Sequence, residues 1–245
     1  MTRIAFISDI HANFEALNAV LADIDATGAD MTVCLGDLVG YGADPAACVD
    51  LIRSRDIQTV MGNHDEYVTL LMDPRVERLR PEVRQSVEWT QSKLSMDDLT
   101  WLAKLPMSMD ADIFGITHGS YKPGNHFAYC KDEETFAENF AGQTHQLAFC
   151  GHSHRPLIAV QTPAGQLFVD YIRPGAVPAD GKVMVNVGSV GQPRDENPNA
   201  CVVYYDLETR HLDLHRVPYD LKLAMQKIIR SPLPEKFAKR LALGK

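Results

Sequence analysis

The chain lacks any apolar run approaching ~18 residues, so no membrane-spanning helix is expected. It lacks a C-x-x-C pair: its five cysteines, at positions 34, 48, 130, 150 and 201, are odd in number and scattered. That spacing excludes a zinc knuckle, a redox dithiol and a disulfide framework, and leaves buried free thiols in a reducing compartment as the expectation. It also lacks an excess of positive charge. The formal net charge is −8, which disfavours a protein that coats nucleic acid through clustered lysine and arginine, although a local positive site inside an acidic molecule stays open. The opening run M-T-R-I-A-F-I-S-D has neither the basic lead nor the long apolar core of a signal peptide, so a cytoplasmic setting is expected. No internal repeat and no low-complexity tract interrupts the 245 residues.

What is present is a hydrophobic fraction of 45%, ordinary for a folded domain, arranged with clear periodicity. Residues 3–8 read as a buried strand. Residues 13–26 carry Phe14, Leu17, Val20, Leu21 and Ile24 at helical spacing, with Gly28 as a stop. A strand at 31–35, a helix over roughly 44–54 and a strand at 57–60 repeat the pattern, which predicts parallel pairing through right-handed crossovers. Residues 66–106 differ. Three helices, breaks at Pro74 and Pro81, and a capping box beginning at Ser95 mark a helical insert covering one edge of the site. Hairpins are then expected at 107–118 and 157–170, a strand at 183–187 entering a Gly-rich loop at 188–199, and two more strands at 201–206 and 211–216. A helix near 219–229 and a polar tail complete the chain; two sheets packed face to face in one domain, 1–245, is the economical reading, which composition alone does not choose over two domains.

Polar clusters follow five of these apolar strands. Asp9 and His11 follow the first, Asp37 the second, and Asn63, His64 and Asp65 the third. His118 follows a later strand, and His152 and His154 the next. In open α/β sheets, ligands bind at the carboxyl ends of strands. Side chains two apart on an extended segment point the same way, so Asp9 with His11, and His152 with His154, are each expected to converge. Imidazole and carboxylate with one amide suit divalent transition metals, and the absence of cysteine from the set disfavours a structural zinc. Seven ligands exceed one tetrahedral ion but divide between two ions if one carboxylate bridges. The remaining histidines, His126, His145, His211 and His215, lack this context and read as surface or packing residues.

The segments D-I-H (9–11), G-D-L-V-G (36–40), G-N-H-D (62–65), T-H-G (117–119) and G-H-S-H (151–154), in this order, resemble the calcineurin-like metallophosphoesterase superfamily. The stretch N-V-G-S-V-G-Q-P-R-D (186–195) further resembles its bacterial phosphodiesterase branch, the YfcE-like proteins, which usually carry proline where Val187 stands. The resemblance implies an α/β fold, a four-layer α/β/β/α sandwich of two mixed β-sheets flanked by helices. It implies two divalent transition-metal ions, drawn from Mn, Fe, Zn, Ni or Co. Asp9, His11 and His154 would hold one ion, and Asn63, His118 and His152 the other, with Asp37 bridging. His64 would face the substrate and Asp65 would orient its ring. The implied reaction is attack of a metal-bound hydroxide on a phosphodiester or nucleotide, dinucleoside polyphosphates included, with a cationic His64 assisting the leaving group.

Substrate contacts are thinner. Arg155 and Arg194 are candidates to grip a non-reacting phosphate, since guanidinium matches phosphate as a fork, and Tyr41, or less strongly Tyr121, to stack on a base. A protein phosphatase or phosphomonoesterase, and a non-catalytic scaffold retaining the metal pocket, are the alternatives; intact His64 weighs against the scaffold. The expected partner is a small phosphate ester or nucleotide, and a homo-oligomer is compatible with the sequence.

Overall fold

Alternation at period two decides how the strands layer. In β1 (Arg3–Ile7), Ile4 and Phe6 belong to one buried cluster, and Ala5 and Ile7 to another. A strand buried on both faces needs a partner layer on each side. The structure, a computed structural model describing residues 2–245, supplies both.

The first half is built from α1 (Phe14–Thr27), β2 (Met31–Cys34), α2 (Pro45–Ser54) and β3 (Gln58–Thr59). The strands β1, β2 and β3 pair in parallel. Asn13 caps α1 by accepting the Ala16 N–H at 3.1 Å, and Gly28 ends the helix in the left-handed region. Four helices follow: α3 (Asn63–Thr69), α4 (Pro74–Glu77), α5 (Pro81–Gln91) and α6 (Met96–Leu102). Ser95 forms the expected capping box with Asp98.

The second half holds β4 (Ser108–Asp110), β5 (Phe114–Thr117), α7 (Glu133–Gly142), β6 (Leu147–Cys150), β7 (Pro156–Gln161), β8 (Leu167–Tyr171), β9 (Gly175–Ala176), β10 (Lys182–Val187), β11 (Ala200–Asp206), β12 (His211–Val217), α8 (Leu221–Ile229) and α9 (Glu235–Leu243). Two six-stranded mixed sheets result, in the orders β3-β2-β1-β11-β12-β9 and β4-β5-β6-β10-β7-β8.

The core between the sheets joins Ile4, Phe6, Val33 and Leu35 of the first to Leu147, Phe149, Val183 and Val185 of the second. Phe6 stacks on Phe149 with ring centroids 3.9 Å apart. Ala5, Ile7, Val202 and Tyr204 face outward onto α1 and α2. Met184, Ala148 and Cys150 face the other way, onto Phe136 and Phe140 of α7. Each large apolar side chain buried this way contributes about 1.5–3 kcal/mol. Three apolar interfaces separate four layers, so the expected α/β/β/α sandwich is what the chain forms.

Several local expectations are corrected. The polar tail is α9, whose Phe237, Ala238 and Leu241 are buried against α8 and Tyr41. Residues 133–142 form a helix that the strand-rich reading passed over; its apolar anchors are Phe136 and Phe140, one turn apart. The helical segment has four helices rather than three and begins at Asn63, because the G-N-H-D turn is itself a helix start. Val187 closes β10, in keeping with the strand expected at 183–187, facing the inter-sheet core and paired with Pro156. Among the described residues no helix is long and apolar enough to cross a membrane.

Candidate metal centre

The five polar clusters meet at one end of the sandwich, beyond the carboxyl ends of β1, β2, β3, β5 and β6. They do not arrive as extended segments. Asp9, His11, Asp37, His152 and His154 all have positive φ, between 48° and 67°. Non-glycine residues adopt this left-handed region sparingly, at a cost of order 1–3 kcal/mol each, and such strain collects at functional sites. Convergence of the two D-x-H and H-x-H pairs is therefore produced by tight turns after the strands, which corrects the extended geometry expected from alternation.

The turns are held from behind. Ser189 Oγ donates to the Asp9 carbonyl at 2.8 Å, and the Gly191 N–H donates to the same oxygen at 2.9 Å. Asn186 Nδ2 donates to the Gly151 carbonyl and, at 2.9 Å, to Ser153 Oγ. Asn186 of β10 and Ser189 and Gly191 of the Gly-rich segment were given no such role by the sequence reading. The available signal was a lone asparagine inside the apolar run V-M-V-N-V, where a buried amide needs partners. Gly62 serves by what it lacks: a Cβ there would lie 2.1 Å from Asp37 Oδ1.

The candidate ligand atoms face one another across the centre. His11 Nδ1 lies 3.0 Å from the Val39 carbonyl, His118 Nδ1 2.6 Å from Leu35, and His154 Nδ1 2.5 Å from Gln192. A carbonyl only accepts, so each Nδ1 carries a proton; Nε2 of the neutral His11 and His154 presents a lone pair to the centre, and His118 Nε2 faces the Asp37 carboxylate. His11 Nε2 and His154 Nε2 face one another at 3.1 Å. Asp9 Oδ1 is 3.2 Å from His154 Nε2. Asp37 Oδ2 lies 3.6 Å from His11 Nε2 and 3.4 Å from His118 Nε2, while its Oδ1 accepts the His64 N–H at 2.8 Å. His118 Nε2 is 3.2 Å from His152 Nδ1. Asn63 Oδ1 is buried with no hydrogen-bond partner. Buried lone pairs packed this closely repel unless a cation lies between them. The donor set of imidazole, carboxylate and amide fits divalent transition metals.

Two groups emerge from the distances, Asp9–His11–His154 and Asp37–His118–His152, with Asp37 also grouped with His11 and His64. Burial depresses His11, His64, His152 and His154, with His152 down to about 3 and His64 down to about 4, which keeps these rings neutral. Burial also acts downward on His118, but the Asp37 carboxylate outweighs it and pushes the ring up to about 9. For Asp9, burial acts upward and the adjacent His154 prevails, holding the carboxyl below its usual range. The centre attracts positive charge.

Among the described residues, the hydrogen bonds of the Asp65 carboxylate go to backbone amides and not to the His64 ring. Asp65 occupies the third position of α3, and its carboxylate accepts four backbone N–H groups, from Asp37 (2.7 Å), Leu38 (2.9 Å), Val39 (3.3 Å) and Gly62 (3.0 Å). A helix N-terminus and the 37–39 turn both present free amides there, and they capture the carboxylate. His64 Nδ1 is left buried without a partner. Burial lowers the His64 pKa more than the nearby Asp37 carboxylate raises it, and the Asp65 carboxylate is engaged elsewhere, so the cationic His64 expected from the sequence is corrected to a neutral one.

Of the substrate candidates, Arg194 and Tyr41 border the centre and Arg155 does not. Arg155 is exposed, and its Nε donates to the Arg194 carbonyl at 3.1 Å. Tyr41 is wedged between His64, His11 and Phe237, at centroid distances of 4.4, 4.7 and 4.9 Å, so it packs the site wall and is not free to stack on a base. Tyr121 packs against the outer face of the second sheet. Tyr129, unforeseen from the sequence, stacks on the His152 ring at 4.0 Å while remaining 45% exposed. The four other histidines lie outside the centre; His215, for example, pairs with Asp23 at 2.8 Å.

The model of the calcineurin-like phosphoesterase superfamily domain matches residues 2–210. The chain is 36% identical over 252 residues to the uncharacterized protein MJ0912 of Methanocaldococcus jannaschii, covering 99% of this chain and 98% of that one. Its structure is similar to a metallophosphoesterase from Sphaerobacter thermophilus, with a TM-score of 0.86 and 33% identity across 100% of both chains. It is also similar in fold to the hypothetical protein PH1004 from Pyrococcus horikoshii OT3, with a TM-score of 0.82 and 20% identity over 100% of this chain and 99% of that one.

Proposed function

Because the chain belongs to the calcineurin-like phosphoesterase superfamily, and so to the metal-dependent phosphoric ester hydrolases, we propose that it is a binuclear enzyme cleaving phosphodiester or nucleotide bonds, dinucleoside polyphosphates included. The observation that carries this reading is Asp37: one carboxylate oxygen stands within 3.6 Å of His11 and 3.4 Å of His118, which belong to different ligand groups. Asp9, His11 and His154 would hold one ion, Asn63, His118 and His152 the other, and Asp37 both. When bound, such ions supply charge neutralisation at the phosphoryl oxygens and lower the pKa of a water toward ~7.

The chain's own groups do the rest. The carbonyls of Val39, Leu35 and Gln192 hold a proton on Nδ1 of His11, His118 and His154 and keep their Nε2 atoms inward. His64 lines the cleft beside the centre. A neutral imidazole still donates one N–H to a phosphoryl oxygen; substrate anionic charge beside it would favour uptake of a second proton from solvent, and the imidazolium would pass one proton to the leaving oxygen and return to the neutral ring. That step is worth roughly 10²–10⁴-fold. The cleft, about 300 Å³ and walled by α5, α9 and Tyr129, supports a small substrate rather than a protein surface. Five buried free cysteines support a cytoplasmic setting.

The test is elemental analysis of the purified chain together with turnover of bis-p-nitrophenyl phosphate against p-nitrophenyl phosphate in Mn²⁺. Two retained ions and faster cleavage of the diester are expected. A chain that binds no divalent metal and cleaves neither ester sinks the proposal; a monoester preference moves it to a phosphomonoesterase.

A further inference from the structure

Three arginines converge on the cleft beside His64. Arg80 precedes α5, Arg194 comes from the Gly-rich segment, and Arg240 from the last turn of α9; all three line the same cavity as Asn63, His64 and Tyr129. Arg194 is fixed in place: its N–H donates to the His154 carbonyl at 3.1 Å and its Nη2 donates to Gln192 Oε1 at 2.9 Å. Its Nε is buried with no partner. Among the described residues, none of the three guanidinium groups forms an ion pair. The one carboxylate in the cavity wall, Glu82, is taken by Lys236. Arg80 is exposed and Arg194 and Arg240 are half-buried; three like charges around one cavity repel, and an anion entering it relieves that repulsion. Burial and the Arg194 charge already act against the charged form of Arg240. In a chain of net charge −8, such a concentration is not a by-product of a basic surface.

We propose that Arg80, Arg194 and Arg240 form a second anion subsite, which holds a phosphate other than the one attacked and selects substrates bearing two or more phosphates, the nucleoside polyphosphate class. The subsite rests on the phosphoesterase reading for the place of the reacting phosphate, though not for its own charge. Guanidinium forks suit phosphate oxygens in number and geometry. Arg240 stands on a helix beyond residue 210, where the match to the family domain ends, so this chain's C-terminal helix adds selectivity to the shared centre. Phe237 and Leu241, buried against α8, anchor that helix and aim Arg240 inward.

The test titrates the metal-loaded full chain by calorimetry with inorganic tripolyphosphate and, separately, inorganic phosphate. Arg240→Gln and Arg80→Gln, on different elements, should each weaken tripolyphosphate by about tenfold or more and phosphate by less than about threefold, as expected for a lost charge-assisted contact. Arg240→Lys should recover part of the loss. In parallel, the ratio of kcat/KM for ADP to that for p-nitrophenyl phosphate should fall about tenfold in Arg240→Gln. Equal weakening of both anions, or none, overturns the subsite. Discrimination between the anions without turnover by the native chain keeps the subsite and removes the hydrolase reading; turnover without discrimination does the reverse.

Discussion

Asp37 concentrates the electrostatics of the centre in one side chain. One oxygen faces two histidines and the other takes a backbone N–H from α3. Asp37→Asn replaces a shared anion with a neutral amide, so both ions should be lost together, read by metal content per chain; loss of only one refutes bridging. His64→Ala removes a group whose ring nitrogen Nδ1 has no partner, so both ions should remain while kcat falls about 10²–10⁴-fold. Metal loss in that variant would reassign His64 as a ligand, a role its grouping with His11 and Asp37 allows. Asp65→Asn separates two roles. With four backbone N–H groups on its carboxylate, the amide leaves at least one donor unsatisfied and should destabilise the fold by about 1–3 kcal/mol, seen as a lower Tm. An unchanged Tm with lower kcat would instead return Asp65 to a role in orienting His64.

At the scale of elements, the site depends on short turns that strands and helices hold in unfavourable backbone conformations. Asn13 illustrates the coupling: its Oδ1 caps α1 and its Nδ2 donates to the Gly191 carbonyl at 2.9 Å, in the loop that braces Asp9. Asn13→Ala should cost about 1–2 kcal/mol, checked by urea unfolding, and loosen the Asp9 turn with it. The regular elements were legible because their patterns are local. Phe14, Leu17, Val20, Leu21 and Ile24 declare α1 by spacing alone, and Ser95 with Asp98 declares α6 by its cap. α7 was legible in principle, with Asp132 capping Thr135 and an acidic first turn, but two apolar anchors in ten residues make a weak periodic signal. α9 has a clearer stripe, Phe237, Ala238 and Leu241, hidden by its charged remainder.

For the whole molecule, the centre lies where both sheets present the carboxyl ends of parallel strands, so its candidate ligands come from residues as far apart as Asp9 and His154. A bound cation therefore ties the two sheets together. Removal of metal by a chelator should lower the Tm, and added Mn²⁺ should restore it in a concentration-dependent way, since a ligand that binds only the folded state stabilises by mass action. A Tm indifferent to chelation would mean that the acceptor cluster is satisfied without cations.

The sequence by itself determined most of the elements and the identity of the candidate ligands, because periodicity, caps and strand-end polar clusters are written in neighbouring residues; the four-layer order was implied only through the family resemblance that those clusters carry. Tertiary structure alone decided the rest. It sent the Asp65 carboxylate to the backbone amides of the 37–39 turn, left His64 neutral, turned Arg155 away, and brought Arg80 and Arg240 to one cleft. Each of these outcomes depends on which distant groups compete for the same buried charge or donor, and that competition exists only once the layers have packed.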